Sequence, residues 1–334
     1  MPLKDRPARP RVIVTRRLPE AVERRMAELF DVELNADDRA FSRSELAAAL
    51  QDCDVFVPTV TDRVDGDLIR GARDRLQLIA NFGAGTDHLD LAAARAEGII
   101  VSNTPGVLTE DTADLVMALI LAVPRRLAEG EKLLRAGRWT GWSPTGLQGH
   151  SITGKKLGIF GVGRIGRAVA LRARACGLSI HYHNRRRLPQ AVEQELGASY
   201  WHELDEMLAE IDILTINSPH TPQTHHAIDA RRLSLMKREA YLVNAARGGI
   251  VDQDALIEAL TSGMISGAGL DVYPDEPEID PRLLELSNVV LLPHLGSATF
   301  EGRVAMGDKV IANIRAWVDG HRPPDQVLEG WEQE

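Results

Sequence analysis

A single hexapeptide, Gly161-Val162-Gly163-Arg164-Ile165-Gly166, sharply narrows the folds open to this 334-residue chain. The apolar run Leu157-Gly158-Ile159-Phe160 leads into it, an amphipathic stretch from Arg167 to Ala175 follows, and a second apolar run, Leu178 to His183, comes next. Strand, glycine turn, helix and strand in that order make a βαβ unit. In such a unit the first glycine permits a tight turn, the second lets backbone approach a pyrophosphate, and the third lets helix and strand pack closely. The free amides at the helix start, those of Arg164 and Ile165 among them, then face the phosphates with a partial positive charge. Alone, the glycine pattern also fits a plain tight turn. Its flanking elements point to dinucleotide binding.

The end of the second strand selects the dinucleotide. An NAD site carries an acidic residue about 20 residues on, bonded to the ribose hydroxyls. Here Asn184 stands 18 residues beyond Gly166, followed by Arg185-Arg186-Arg187. A neutral amide removes repulsion against a 2′-phosphate, and neighbouring guanidiniums can grip one through charge-assisted hydrogen bonds. The expectation is NADP(H), with NAD(H) bound more weakly; the alternative is a solvated basic loop.

Other strand-like runs are Val12 to Val14, Val55 to Val57, Leu76 to Ala80, Ile99 to Val101, Ile213 to Asn217, Tyr241 to Ala245, Gly267 to Asp271 and Val289 to Pro293. Helical patterns between them predict an α/β protein with parallel, doubly wound sheets. At roughly 100–200 residues per domain the length suggests two. A long helix from about Glu110 to Val123 should kink or end at Pro124 and resume near Ala128. The glycine- and tryptophan-rich stretch 137–154 reads as an irregular arm. The last helix, Glu301 to Trp317, either stays with the second series or crosses back to the first. Crossing back gives the expected division: residues 1–104 with 298–334, and 105–297, with an arm at about 124–150.

The 39 basic and 48 acidic residues leave a formal charge of −9, against a general nucleic-acid binder. Two cysteines, Cys53 and Cys176, are too few for a disulfide framework or zinc cluster. No apolar run suggests a membrane span, and the polar, basic opening from Met1 to Arg11 does not read as a secretory signal. The expected location is the cytoplasm.

Three polar residues follow strands of the second series: Arg247, in Asn244-Ala245-Ala246-Arg247-Gly248-Gly249; Glu276, after Leu270-Asp271-Val272-Tyr273; and His294, in Pro293-His294-Leu295-Gly296-Ser297. Ligands of open α/β sheets bind beyond the carboxyl ends of the strands, where these three residues can converge. Taken singly, Arg247 also fits a surface ion pair, Glu276 a solvated loop, and His294 a satisfied strand-end residue. Together with the glycine hexapeptide, in this order, they resemble the D-isomer-specific 2-hydroxyacid dehydrogenases from Val12 to about Trp317. Asn184 and the arginine run make the chain most similar to the NADPH-dependent glyoxylate/hydroxypyruvate reductases of that family.

The resemblance implies two Rossmann-like or flavodoxin-like domains with the active site in the cleft between them. It also implies NADPH-dependent reduction of glyoxylate and hydroxypyruvate to glycolate and D-glycerate. Arg247 would bind the substrate carboxylate and polarise the ketone, and His294 would donate the proton. Glu276 would accept a hydrogen bond from the far imidazole nitrogen and fix the ring. Backbone amides of Ala84 and Gly85 would bind the carboxylate, in a glycine-rich loop (81–88) that otherwise reads as a simple βα turn. Thr109 matches a position near the cofactor phosphates and nicotinamide. Ser218, Pro219, Ala245 and Asp271 would line the adenosine and nicotinamide pockets, and Gly296 and Ser297 the nicotinamide amide. The family also implies a homodimer whose arm can push a tryptophan, here Trp142, into the partner's active site; Trp139 and Trp142 equally fit local packing.

No metal is expected. His181 and His183 alternate on a strand, and His220, His225 and His226 lack a completing Cys or carboxylate pattern. Three competitors remain: a phosphoglycerate dehydrogenase, many of which carry further C-terminal domains; a dehydrogenase of branched or aliphatic 2-oxo acids; and a nucleotide-sensing corepressor that uses the same fold as a scaffold.

Overall fold

The computed structural model describes residues 6–72 and 75–328; residues 1–5 of the basic opening and 329–334 of the C-terminal segment lie outside the described residues. The chain divides into two compact units, Met1–Leu108 with Ala298–Glu334, and Thr109–Ser297.

The first unit opens with β1 (Arg11–Val14), α1 (Glu20–Leu29), β2 (Asp31–Glu33), α2 (Arg43–Asp52) and β3 (Val55–Val57). It continues through α3 (Gly66–Gly71), β4 (Leu78–Ala80), α4 (Leu91–Ala96) and β5 (Ile100–Ser102). The five strands form a parallel sheet in the order β2-β1-β3-β4-β5. β3 and β4 are buried at every residue, so their sequences run apolar without alternating. Helix starts are fixed locally. At α2 the Ser42 amide donates to the Glu45 side chain (2.7 Å) while the Ser42 hydroxyl accepts from the Glu45 amide, a reciprocal cap.

The second unit begins with α5 (Thr109–Ala122) and α6 (Leu127–Arg135). α5 stops two residues before Pro124, whose ring cannot continue the helical ladder. Residues 136–155 contain no helix or strand. Then follow β6 (Lys156–Phe160), α7 (Arg164–Ala175), β7 (Ser179–His183), α8 (Gln190–Leu196), β8 (Ala198–Tyr200), α9 (Leu204–Glu210) and β9 (Ile213–Ile216). The unit ends with α10 (Ala230–Leu235), β10 (Tyr241–Asn244), α11 (Gln253–Thr261), β11 (Gly267–Leu270), α12 (Pro281–Glu285) and β12 (Val289–Leu291). Its seven strands are all parallel, in the order β12-β11-β10-β9-β6-β7-β8. The strand order reverses between β6 and β9. That is the place where a parallel sheet opens a crevice at its carboxyl end.

Finally α13 (Phe300–Val318) returns to the first unit. Its Met306, Val310, Ile314 and Trp317 pack with Met26 of α1 and Phe30 just beyond its end against Val12 and Val14 of β1. On the opposite face Ile13 packs with Leu50, Phe56 and Ile79. Thus alternate residues of one strand feed two core layers. No helix among the described residues is long and apolar enough to cross a membrane.

Candidate active site

The glycine turn sits at the reversal point of the seven-stranded sheet. Gly161 has φ +100°, and a Cβ there would lie 2.3 Å from Ser218 Oγ and 2.7 Å from Ser218 N, so only glycine fits. The Ser218 hydroxyl in turn donates to the Phe160 carbonyl (3.1 Å), tying the loop after β9 to the end of β6. Gly163 is the opposite case: it is exposed, and a Cβ would meet nothing within 4 Å. Space is therefore left open where α7 begins. No side chain among the described residues caps α7, so its first amides face that space without an acceptor from them. This combination of tight backbone, open approach and uncapped helix start fits a dinucleotide pyrophosphate. Arg164 is exposed and Ile165 half-buried at the same helix start. Thr109 begins α5, and Pro219 is exposed beside Ser218.

Asn184 closes the turn from β7. Its Oδ1 accepts from the Val162 amide (2.6 Å) and its Nδ2 donates to the Val162 carbonyl (3.4 Å). The residue thus shapes the glycine loop as well as setting its charge. The arginine run divides. Arg187 pairs with Glu193 through two 2.9 Å contacts and lies over the Tyr200 ring. Arg185 and Arg186 are exposed and engage no acid among the described residues.

The proposed catalytic side chains lie beyond the ends of β10, β11 and β12. His294 Nδ1 is 2.7 Å from Glu276 Oε2, and the other carboxylate oxygen accepts from the Tyr273 amide (2.8 Å). His294 Nε2 has no protein partner among the described residues. Both side chains are about two-thirds shielded, with relative exposures of 28% and 31%. Burial alone would raise the Glu276 carboxyl; the hydrogen bond and charge of His294, the Tyr273 amide and the Arg247 charge outweigh it and hold the group below its ordinary range. Arg247 comes from a loop that presses onto the Glu276 loop: a Cβ on Gly248 would fall 2.0 Å from the Tyr273 carbonyl carbon. Asn244 shapes the Arg247 loop, its Nδ2 donating to the Arg247 carbonyl (2.9 Å) and its Oδ1 accepting from the Ala246 amide (3.1 Å). Ala245, between them, is half-buried.

His294 itself has φ +55°, a left-handed conformation that needs support in a non-glycine residue. Asp271 supplies it. Its carbonyl accepts from the His294 amide (2.9 Å), and its carboxylate accepts from the amides of Leu295 (2.6 Å) and Gly296 (2.9 Å). Thr112 then holds the Gly296 carbonyl (2.9 Å), leaving Ser297 half-buried at the loop's end. Asp271 is fully buried; burial raises its carboxyl, against the pull of those two amides. The sequence placed Asp271 on a pocket wall, and the structure adds a positioning role. Asp271 and Asn244 as loop-setting residues escaped sequence reading. An asparagine or aspartate ending a strand was the available signal.

In the first unit, Ala84 and Gly85 lie in the loop after β4; Ala84 is exposed and Gly85 half-buried. On the arm, Trp139 and Trp142 are 56% and 84% exposed, so neither is packed locally as one reading had it. His181 accepts from the Trp201 indole (3.0 Å), and His183 bonds the Trp201 carbonyl (3.1 Å). His220 and His225 are 3.1 Å apart, and His225 stacks on His226. No group of three or more His, Cys, Asp or Glu among the described residues could hold a metal ion.

Residues 117–296 match the NAD-binding domain of the D-isomer-specific 2-hydroxyacid dehydrogenases. The glyoxylate reductase of Thermococcus litoralis is 43% identical over 323 residues, covering 96% of this chain and 97% of its own length. Among solved structures, an NADPH-dependent glyoxylate/hydroxypyruvate reductase of Sinorhizobium meliloti, in complex with NADP and malonate, is 36% identical with a TM-score of 0.83, covering 96% and 97%. The D-mandelate dehydrogenase of Rhodotorula graminis is 27% identical with a TM-score of 0.84, covering 96% and 98%. By sequence and fold, the chain belongs to the D-isomer-specific 2-hydroxyacid dehydrogenase family.

Proposed function

We propose that this protein is an NADPH-dependent reductase of small 2-oxo acids, converting glyoxylate to glycolate and hydroxypyruvate to D-glycerate. The observation that carries this reading is the His294–Glu276 pair, 2.7 Å apart, beside Arg247 and in the same unit as the glycine turn. Bound NADPH supplies a hydride to the ketone carbon. The Arg247 fork binds the substrate carboxylate and draws charge toward the ketone oxygen. His294 Nε2 delivers a proton to that oxygen as it becomes an alkoxide, and takes it back in oxidation. Glu276 holds Nδ1, so the ring presents Nε2 in one orientation. Ala84 and Gly85 contribute amide donors to the carboxylate.

The preference for NADPH over NADH rests on Asn184, Arg185 and Arg186. Thr109, Gly161, Gly163, Arg164, Ile165, Gly166, Ser218, Pro219, Ala245, Asp271, Gly296 and Ser297 complete the cofactor site. Met1–Leu108 with Ala298–Glu334 form the substrate domain and Thr109–Ser297 the dinucleotide domain, a boundary four residues beyond the one expected after residue 104, because Val107 and Leu108 pack on the first unit's core. The exposed apolar side chains of Leu127, Leu134, Trp139 and Trp142 support a homodimer joined through the arm, with Trp142 entering the partner's substrate site, and the cytoplasm is its proposed location.

The test is a panel of glyoxylate, hydroxypyruvate, pyruvate and 2-oxoisocaproate against NADPH and NADH, followed by loss of reduced-cofactor absorbance. The reading expects the highest kcat/KM with the two smallest polar acids and NADPH. A preference for 2-oxoisocaproate would move the substrate class, and background rates throughout would favour a nucleotide-sensing scaffold.

A further inference from the structure

The loop after β4 divides its backbone groups in an unusual way. The carbonyls of Gly83, Ala84, Gly85 and Thr86 are all occupied. Asn81 Nδ2 donates to Gly83 (3.0 Å) and Gly85 (2.9 Å), Asn103 Nδ2 donates to Ala84 (2.8 Å), and the amides of Thr104 and Leu89 donate to Gly83 and Thr86 (both 3.0 Å). The amides of the same four residues donate to no protein group among the described residues. Backbone donors of a compact loop are ordinarily satisfied, so four consecutive open amides with four tethered carbonyls form a concavity prepared for an anion.

One buried side chain supplies two of these five hydrogen bonds. Asn81 is 1% exposed and spends both amide hydrogens on carbonyls two and four residues ahead. Two acceptor carbonyls require its NH2 on that side, which turns Oδ1 toward His88, and His88 Nε2–H donates to it (2.9 Å). The fit is close: a Cβ on Gly83 would lie 3.3 Å from Asn81 Nδ2.

We infer that Asn81, assisted by Asn103, is a positioning residue for substrate: by holding the carbonyls of residues 83–85 back, it aims their amides at the carboxylate of the 2-oxo acid. This rests on the reductase reading above. Asn81→Asp keeps the size of the side chain but sets carboxylate oxygens against the Gly83 and Gly85 carbonyls. Asn103→Ala releases only the Ala84 carbonyl.

Steady-state kinetics with glyoxylate and NADPH, together with calorimetric titration of oxamate into the NADPH-loaded protein, test the inference. Asn81→Asp should raise the glyoxylate KM and the oxamate Kd together by about tenfold or more, and Asn103→Ala by about threefold, with kcat and the NADPH KM within about twofold of the parent. A general folding defect would instead lower kcat and disturb the NADPH KM. Unchanged KM and Kd in Asn103→Ala, or in a folded Asn81→Asp, would overturn the role. If the parent fails to reduce glyoxylate yet binds oxamate in an Asn81-dependent way, the cradle stands and the reaction assignment falls. If the parent neither turns over nor binds oxamate, both fall.

Discussion

The double variant Asn184→Asp/Arg185→Ala tests the cofactor assignment without dismantling the site. Asn184 Oδ1 accepts from the Val162 amide at 2.6 Å, and an aspartate oxygen can take the same hydrogen bond. The exchange forfeits only the 3.4 Å contact to the Val162 carbonyl, so the glycine turn should survive. What changes is charge: a carboxylate now faces the 2′-phosphate, and one exposed guanidinium is gone. A charge-assisted hydrogen bond is worth about 1.5–3 kcal/mol when sheltered and about 1 kcal/mol at an exposed side chain such as Arg185. Repulsion between like charges at close range in water adds about 1 kcal/mol. Together these make about 2 kcal/mol, or roughly 30-fold in selectivity. NADH lacks the 2′-phosphate and escapes both effects. Measured at saturating glyoxylate, the NADPH-to-NADH ratio of kcat/KM should fall by about that factor. The salt dependence of the NADPH KM should flatten with it. A ratio within threefold of the parent would refute the assignment of the 2′-phosphate to this loop.

Glu276→Gln leaves one acceptor oxygen where the Tyr273 amide and His294 Nδ1 now use two. A loss of about 10- to 100-fold in kcat, with the NADPH KM unmoved, is expected in stopped-flow and steady-state assays. Gly307→Ala would set a Cβ 2.3 Å from Val22 Cγ2, where α13 packs on α1; thermal unfolding should show a loss of about 1–3 kcal/mol, largely restored by adding Val22→Ala. Arg231, then Arg232, hold the Asp205 carboxyl down to about 2. Because the folded value lies below the unfolded one, this stabilisation is present above about pH 4 and is lost as pH falls toward 2. Asp205 is 39% exposed, so Asp205→Asn should cost under about 1 kcal/mol at neutral pH and flatten the acid limb of an unfolding series.

Much of the architecture could be read from the chain because buried parallel strands are unbroken apolar runs. Val55–Val57 and Leu78–Ala80 are of that kind, and Ile213–Ile216 and Tyr241–Asn244 depart from it only at Thr215 and Asn244. The edge strands Asp31–Glu33 and Ala198–Tyr200 carry no such signal, since they face solvent and include polar residues. The short helix Leu91–Ala96 escaped as well; its start depends on Asp90 accepting from the Ala93 amide, a local cap with little periodicity behind it.

At the site, residue types and their place after strands pointed to Arg247, Glu276 and His294. Their supports are a different matter. Asp271 acts on amides 24 and 25 residues away, and Asn103 on a carbonyl 19 residues away, so neither role is visible to a window sliding along the sequence. Arg187 continues the basic run of Arg185 and Arg186 in sequence, but Glu193 and Tyr200 occupy it, a pairing that the run itself does not display.

The account stands or falls on His294 Nε2 as the proton donor in a hydride transfer to a 2-oxo acid. Its most direct test compares glyoxylate reduction by the parent and by His294→Ala, with NADPH affinity followed separately by protein fluorescence. The expected result is a fall in kcat of about 10²-fold or more, the scale of general acid catalysis, with NADPH affinity within about twofold. Turnover by His294→Ala within about threefold of the parent, on equally bound NADPH, would contradict it.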